Sequence, residues 1–110
     1  MDIPRQAALL RIYTEEARRD GTRPLYESIV VKARDAGLAG ATVLRGPMGF
    51  GESARIHNAA ILDLSANLPL VIEIVDAEDK LRAFAGAVLR GEPVREWVTA
   101  TNALLPAKGG

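Results

Sequence analysis

The chain contains no cysteine, one histidine and one tryptophan in 110 residues, and aromatic residues make up only 5% of it. Without cysteine there is no disulfide, no thiol nucleophile and no thiolate metal ligand. The net charge is zero, because 14 basic residues balance 14 acidic ones, so a nucleic-acid binding surface is not predicted. No apolar run is long enough for a bilayer span or a signal peptide. We therefore expect a cytoplasmic protein without membrane insertion.

What the chain does contain fits one small globular unit. Its length allows a single hydrophobic core, and 48% apolar with 25% charged residues is the usual balance for a soluble domain. Because aromatic residues are scarce, the core is expected to be aliphatic. We predict one domain over residues 1–110, with frayed or disordered ends at about 1–6 and 106–110.

Hydrophobic periodicity and turn residues predict four strands and two helices. The strands are expected at Ala7–Thr14, Ala41–Arg45, Leu70–Val75 and Val94–Thr101, and the first helix at Leu25–Ala36 with Pro24 in its first turn. The order β-α-β, loop, β-α-β predicts an α+β fold, the ferredoxin-like sandwich with two helices on one face of an antiparallel sheet. The segment Ile56–Ser65 fits either a strand or a short helix.

The ends of the helices carry recognisable signals. Gly37 is predicted to end the first helix as its C′ residue. Asp76 is predicted to cap the second helix, with Asp79 completing a weak capping box, and Gly91 with Pro93 to end it.

Apolar residues fall on both faces of the predicted strands, as in Leu70–Val75. When helices cover only one face of a sheet, only every second residue of each strand needs to be apolar. We infer that the second face is also buried, most simply by self-association of identical chains.

The stretch from Gly37 to His57, GLAGATVLRGPMGFGESARIH, has an unusual glycine density. Five glycines fall within fifteen residues, which predicts positive φ angles or a backbone that closely approaches something. A ligand-cradling backbone and a simple hairpin turn both fit this pattern. A loop of this kind is where function is expected.

The phrases GLAGATVLRG-PMGFG and LPLVIEIVD carry a family resemblance. From about Leu9 to Leu89 the chain resembles the PII-like family called domain of unknown function 190, a relative of the nitrogen-regulatory PII (GlnB-like) signalling proteins. The resemblance implies a ferredoxin-like homotrimer with inward-facing sheets. It also implies adenine-nucleotide binding in the clefts between subunits and a signalling loop after the second strand, here about Met48 to Ile61.

The resemblance also assigns candidate ligand-binding residues. Gly40, Thr42 and Val43 match the PII pattern G-x-T-V, whose threonine lies near the base. Gly49, Phe50 and Gly51 match the GFG turn beside the phosphates. Together with flanking cations and glycines, the candidate set is Thr42, Arg45, Gly46, Gly49, Phe50, Gly51, His57, Arg90 and Gly91. Glu52 and Ser53 replace the basic residue and glutamine that usually follow GFG, so the ligand class is a nucleotide-like or other small anion, with an adenine nucleotide as one candidate.

The predicted function is a trimeric regulator, not an enzyme, with no catalytic or metal residue assigned and an unidentified transporter, channel or enzyme as its partner. No nucleophile–base arrangement occurs in the sequence. Two alternatives stay open. One is a small enzyme that uses His57 and Glu52 in the same cleft. The other is a metal-responsive trimer resembling the divalent-cation-tolerance proteins.

Overall fold

The computed structural model describes residues 7–50, 57–58, 67–90 and 95–101, with 57–58 and 95–101 described by their backbone. In chain order its elements are β1 (Ala7–Glu15), β2 (Arg19–Asp20), β3 (Arg23–Pro24), α1 (Leu25–Asp35), β4 (Gly40–Arg45), β5 (Met48–Gly49), β6 (His57–Asn58), β7 (Pro69–Asp76), α2 (Glu78–Val88) and β8 (Arg95–Thr101). The predicted ends 1–6 and 106–110 and the predicted stop at Gly91 and Pro93 lie outside the described residues. So does most of Ile56–Ser65.

Four of the strands form one antiparallel sheet in the order β4-β7-β1-β8. The central ladder joins β1 to β7 from Ala8 opposite Asp76 to Glu15 opposite Pro69, and β4 and β8 pair with the outer sides of these two strands. The two β-α-β units are therefore interleaved, with the first and third long strands in the middle of the sheet. This arrangement is the predicted ferredoxin-like sandwich.

The core lies between the sheet and the two helices. Side chains alternate along β7, where Leu70, Ile72, Ile74 and Asp76 are buried and the residues between them are partly exposed. The most deeply buried large side chains are all aliphatic, as predicted: Leu10, Ile12, Ile29, Ile72, Ile74 and Leu81. Each such side chain stabilises the fold by about 1.5–3 kcal/mol through burial.

Gly37 ends α1 as predicted, with a φ of +77°. Its N–H donates to the carbonyl oxygen of Arg34 at 3.0 Å, and the N–H of Leu38 donates to that of Ala33 at 3.1 Å. These two bonds form a Schellman motif, and the buried Leu38 supplies the hydrophobic contact that accompanies it. At the other end Pro24 is the N-cap, not a first-turn residue, because its ψ of 139° is extended.

The predicted capping role of Asp76 is wrong. Ala77 is the N-cap of α2, without a side-chain cap, because Asp76 still pairs with Ala8 as the last residue of β7. The Asp76 side chain is 3% exposed. Its Oδ2 accepts from the Ala39 N–H at 3.0 Å and its Oδ1 from the Ala77 N–H at 2.6 Å. The carboxylate thus ties the α1–β4 connection to the β7–α2 connection.

The sheet face opposite the helices, here called the open face, is mixed in character. Across its middle, Arg11 Nε lies 3.0 Å from Glu73 Oε2, and Glu73 stands opposite Thr42 of the edge strand β4. Apolar side chains lie on the same face, including Leu9, Val71 and Leu44, of which Leu44 is 48% exposed. The open face therefore combines apolar rows with an ion pair that is neutral within one chain.

Candidate functional site

The segments that the sequence singled out meet at one edge of the sheet. By this edge, and by the opposite one, we mean a border formed by the ends of the strands, not an outer strand. β1 and β4 end there and β7 begins there, because β7 is antiparallel to both. β8 starts beside the end of β1, with Arg95 opposite Tyr13, so α2 also runs back toward this edge. The glycine-rich segment leaves this edge after Arg45 and the chain returns to it at Asn67.

Both ends of the 46–67 segment are held by hydrogen bonds to their neighbours. The N–H of Gly46 donates to the carbonyl oxygen of Pro69 at 2.8 Å, and the N–H of Glu16 donates to that of Leu68 at 2.9 Å. Asn67 adds two side-chain bonds, accepting from the Ala17 N–H at 2.7 Å and donating to Glu15 Oε2 at 2.8 Å. The start and the end of the segment are therefore anchored close together, a geometry typical of a functional loop on a rigid scaffold.

Two glycines of this segment, Gly46 and Gly49, lie in close approach to Pro69. A Cβ added at Gly46 or at Gly49 would stand 3.0 Å from Cγ of Pro69, tighter than ordinary van der Waals contact. Neither residue has a positive φ, since the described glycines with positive φ are Gly21 and Gly37. The ring of Pro69 is thus packed against two glycine backbones, which explains their presence without a ligand.

Beyond this contact the chain forms a short ladder, in which Gly49 of β5 stands opposite His57 of β6. Two candidate residues that are eight positions apart in the sequence are therefore neighbours in the backbone. In the same ladder Met48 stands opposite Asn58.

Arg45, a candidate anion-binding residue, already has a partner inside the chain. Its Nε lies 2.9 Å from Glu16 Oε2 and its Nη2 donates to Glu16 Oε1 at 3.0 Å. The Arg45 side chain is 60% exposed, against 32% for Glu16. The guanidinium is available to solvent on one side, but its charge is balanced by Glu16.

Two buried polar atoms near the end of β1 have no hydrogen-bond partner. Among the described residues, the buried atoms Thr14 Oγ1 and Arg18 Nε have no hydrogen-bond partner, and the buried Glu16 Oε2 is paired through the ion contact with Arg45 Nε at 2.9 Å. All three lie in what we call the 14–18 corner, which also holds Leu68 and Asn67. Buried polar groups are normally paired, so the two unpaired atoms of this corner, Thr14 Oγ1 and Arg18 Nε, are unusual.

The remaining candidates are scattered around this edge. Thr42 is exposed on the open face of β4, and Arg90 is exposed just after α2. Phe50 is 70% exposed and Met48 57%, so two large apolar side chains stand in water at the start of the segment. Gly51 and Gly91 lie outside the described residues.

Glu16, Asn67 and Pro69 were not predicted as site residues. The sequence presents Glu16 as one of several charges in the EEARRDGTR run, and no local signal indicates that it reaches Arg45, 29 positions away. Pro69 was interpreted only as the residue that stops earlier structure from running into the strand Leu70–Val75. A short-range hint existed in Asn67, whose amide supplies both a donor and an acceptor and suits the closing of a loop.

Within the described residues no group of three or more His, Cys, Asp or Glu side chains is arranged to hold a metal ion. No helix in the described part of the chain has the length and apolar character of a membrane span.

Comparison with known proteins assigns the family. The model of DUF190, described as "Uncharacterized ACR", matches residues 7–99. The chain belongs to the DUF190 family. A UPF0166 protein of Aquifex aeolicus (strain VF5) is 38% identical to this DUF190 chain over 76 residues, which cover 69% of this chain and 72% of that protein. A UPF0166 protein of Methanocaldococcus jannaschii is 34% identical over 76 residues and 69% of each. The resemblance inferred from the sequence is thereby confirmed.

Several solved structures share the fold of this DUF190 chain, and two of those described below are named PII-like. A protein of Thermus thermophilus described as a PII-like signaling protein superposes with a TM-score of 0.61 at 18% identity, covering 87% of each chain. CPII of Thiomonas intermedia K12, a nitrogen regulatory PII-like protein bound to ADP, AMP and bicarbonate, gives 0.59 at 15% identity, covering 87% of this chain and 86% of that one. The GlnK–ATP complex of B. subtilis gives 0.52 at 19% identity, covering 92% and 86%. The likeness establishes the fold.

Proposed function

We propose that this DUF190 protein is a PII-like regulator, without catalytic activity, that forms a homotrimer and binds a small nucleotide-like anion in the clefts between subunits. Ligand binding would order the 48–61 loop, which then engages a partner protein. The candidate contacts remain Thr42, Arg45, Gly46, Gly49, Phe50, Gly51, His57, Arg90 and Gly91. Thr42 would lie near the base, and Gly49 to Gly51 beside the phosphates.

The observation that carries this proposal is the anchored stem of the 46–67 segment. Gly46 bonded to Pro69, and Glu16 bonded to Leu68, fix both ends of the segment on a rigid sheet edge. Such a stem lets a ligand bound beside it change the loop without disturbing the core, which is the requirement for an order–disorder switch. Two proteins of similar fold have adenine nucleotides bound, CPII with ADP and AMP and GlnK with ATP.

The open face supports the trimer. It exposes Leu44 at the edge strand, and its central charges, Arg11 and Glu73, neutralise each other within one chain. A second copy can cover a face of this kind without having to supply a charge that balances Arg11 or Glu73. Thr42 lies on the same strand, so a seam formed along β4 would bring this candidate residue into the cleft.

An adenine nucleotide requires cations that converge on its phosphates. Arg90 follows α2 at the same sheet edge as Arg45, and no ion pair holds it among the described residues. We expect Arg90→Gln to weaken ADP binding about tenfold, because one charge-assisted contact to phosphate is lost. Isothermal titration calorimetry with ADP, AMP and ATP measures this.

Arg82→Gln is the matched control. It removes the same charge, but Arg82 lies within α2 and pairs with Glu78 at 3.1 Å near the start of that helix, at the opposite sheet edge. Its ADP affinity should equal that of the wild type. Equal loss in both variants would make the effect one of net charge, and the absence of binding by the wild type to any nucleotide would remove the ligand class proposed here.

The same titration addresses the two alternatives. A divalent metal that binds the wild type, but not His57→Ala, would favour the metal-responsive trimer. Turnover of a bound nucleotide that is lost in His57→Ala, with assembly intact, would favour the enzyme.

A further inference from the structure

The carboxylate of Glu16 is paired with the guanidinium of Arg45, which the proposed ligand would also contact. Arg45 contacts Glu16 through two nitrogens, Nε at 2.9 Å and Nη2 at 3.0 Å. This is the side of the guanidinium that a phosphate would approach with two parallel contacts. An anion that reaches Arg45 must therefore share it with Glu16 or displace Glu16.

A second cation for a displaced carboxylate is present in the same 14–18 corner. Arg18 Nε is a buried donor without an acceptor, whereas the buried Glu16 Oε2 has Arg45 Nε as its partner at 2.9 Å. The position of Arg18 is fixed by its backbone, whose N–H donates to Glu15 at 3.2 Å and whose carbonyl oxygen accepts from Leu25 at 2.8 Å. The corner therefore holds an unpaired Arg18 Nε two residues along the chain from the carboxylate that pairs with Arg45.

We propose that Glu16 is a competing counter-ion that sets the anion affinity of this site, exchanging Arg45 for Arg18 when a phosphate-bearing ligand binds. The inference rests on the proposed function, since it assigns the regulation of the same site. Arg45 precedes the 46–67 segment, and the Glu16 N–H holds Leu68 just after it. The exchange thus changes the charge balance at both ends of the segment that the regulator would move.

A double-mutant cycle tests the exchange. Calorimetric titrations with ADP and with inorganic pyrophosphate would compare the wild type, Glu16→Gln, Arg18→Gln and the double variant. We expect Glu16→Gln to bind both probes about fivefold more tightly, the upper range for release of an exposed ion pair. Arg18→Gln should weaken binding about threefold in the wild type and have no effect in the Glu16→Gln background, because the displaced carboxylate is then absent.

Glu78→Gln is the control for charge alone. It removes one carboxylate and one exposed ion pair, Arg82 Nε to Glu78 Oε2 at 3.1 Å, at the opposite sheet edge. It should leave the affinity for both probes unchanged. Sedimentation and urea unfolding of each variant would confirm that assembly and fold are retained.

Several outcomes would overturn the exchange. The exchange is contradicted if Glu16→Gln and the wild type bind the probes with equal affinity, or if Arg18→Gln has an equal effect in both backgrounds. In either case the regulator proposal still stands, provided that the wild type binds a nucleotide. If no variant, Glu16→Gln included, binds either probe, the exchange and the proposed ligand class fail together.

Discussion

At the scale of single residues, two exposed glycines differ in whether their backbone conformation requires glycine. Gly37 has a φ of +77°, whereas Gly86 lies inside α2. An added Cβ would meet no atom within 4 Å at either position. We expect Gly37→Ala to destabilise by about 1–2 kcal/mol through the left-handed conformation, and Gly86→Ala to stabilise by about 1 kcal/mol through helix propensity.

Urea unfolding at one fixed protein concentration measures both changes, since assembly would make stability depend on concentration. Two variants with the same sign would show that side-chain space, not backbone conformation, governs these positions.

Residue-level signals in the sequence located Gly37, and the assignment of Gly46 and Gly49 as ligand-binding residues stays a prediction. Gly37 follows a helix whose apolar spacing is local, so its positive φ could be predicted from neighbouring residues. Gly46 and Gly49 instead pack against the ring of Pro69, whose Cγ would lie 3.0 Å from a Cβ added at either glycine. Pro69 is at least 20 positions away from both in the sequence. Glycine density therefore indicated a special backbone correctly, but the cause was tertiary contact.

At the scale of elements, Asp76 joins two connections that the sequence treated as separate. Its carboxylate accepts from the Ala39 and Ala77 N–H groups, which a truncated side chain would leave unpaired. We expect Asp76→Ala to lower the free energy of unfolding by about 2 kcal/mol, and Asp79→Ala, the exposed partner of the predicted capping box, to change it by less than about 0.5 kcal/mol.

Urea unfolding of the two alanine variants decides between the observed tie and the predicted cap. A larger loss in Asp79→Ala than in Asp76→Ala would favour the capping box.

The order of elements was predictable because each long strand and helix has its own periodicity. The alternation in β7 and the stripe Leu81, Phe84 and Ala85 in α2 are visible without the fold. What the periodicity cannot supply is partnership between distant segments, such as Glu16 with Arg45. The candidate site depends on such partnerships, and for that reason its residues were only partly predicted.

At the scale of the whole molecule, the proposed trimer depends on the open face. Burying the Arg11–Glu73 pair desolvates two charges, which costs free energy unless the pair stays intact and hydrogen-bonded. The 3.0 Å contact between Arg11 Nε and Glu73 Oε2 keeps the two charges paired within each chain. The apolar side chains around the pair, among them Val71 and Leu44, would then supply the attraction between copies.

A single charge placed in this face should therefore prevent assembly. We expect Leu44→Glu to give a single chain, because its carboxylate would be buried without a partner. Ala83→Glu, which adds the same charge at an exposed position of α2 on the helix side, should assemble as the wild type does.

Sedimentation equilibrium of the wild type, beside these two variants at micromolar concentration, tests the central claim most directly. The account predicts a mass of about 35 kDa for wild type and Ala83→Glu, three times the 11.8 kDa chain, and the mass of one chain for Leu44→Glu. A wild type that sediments at 11.8 kDa under these conditions would contradict the trimer and, with it, a ligand site between subunits.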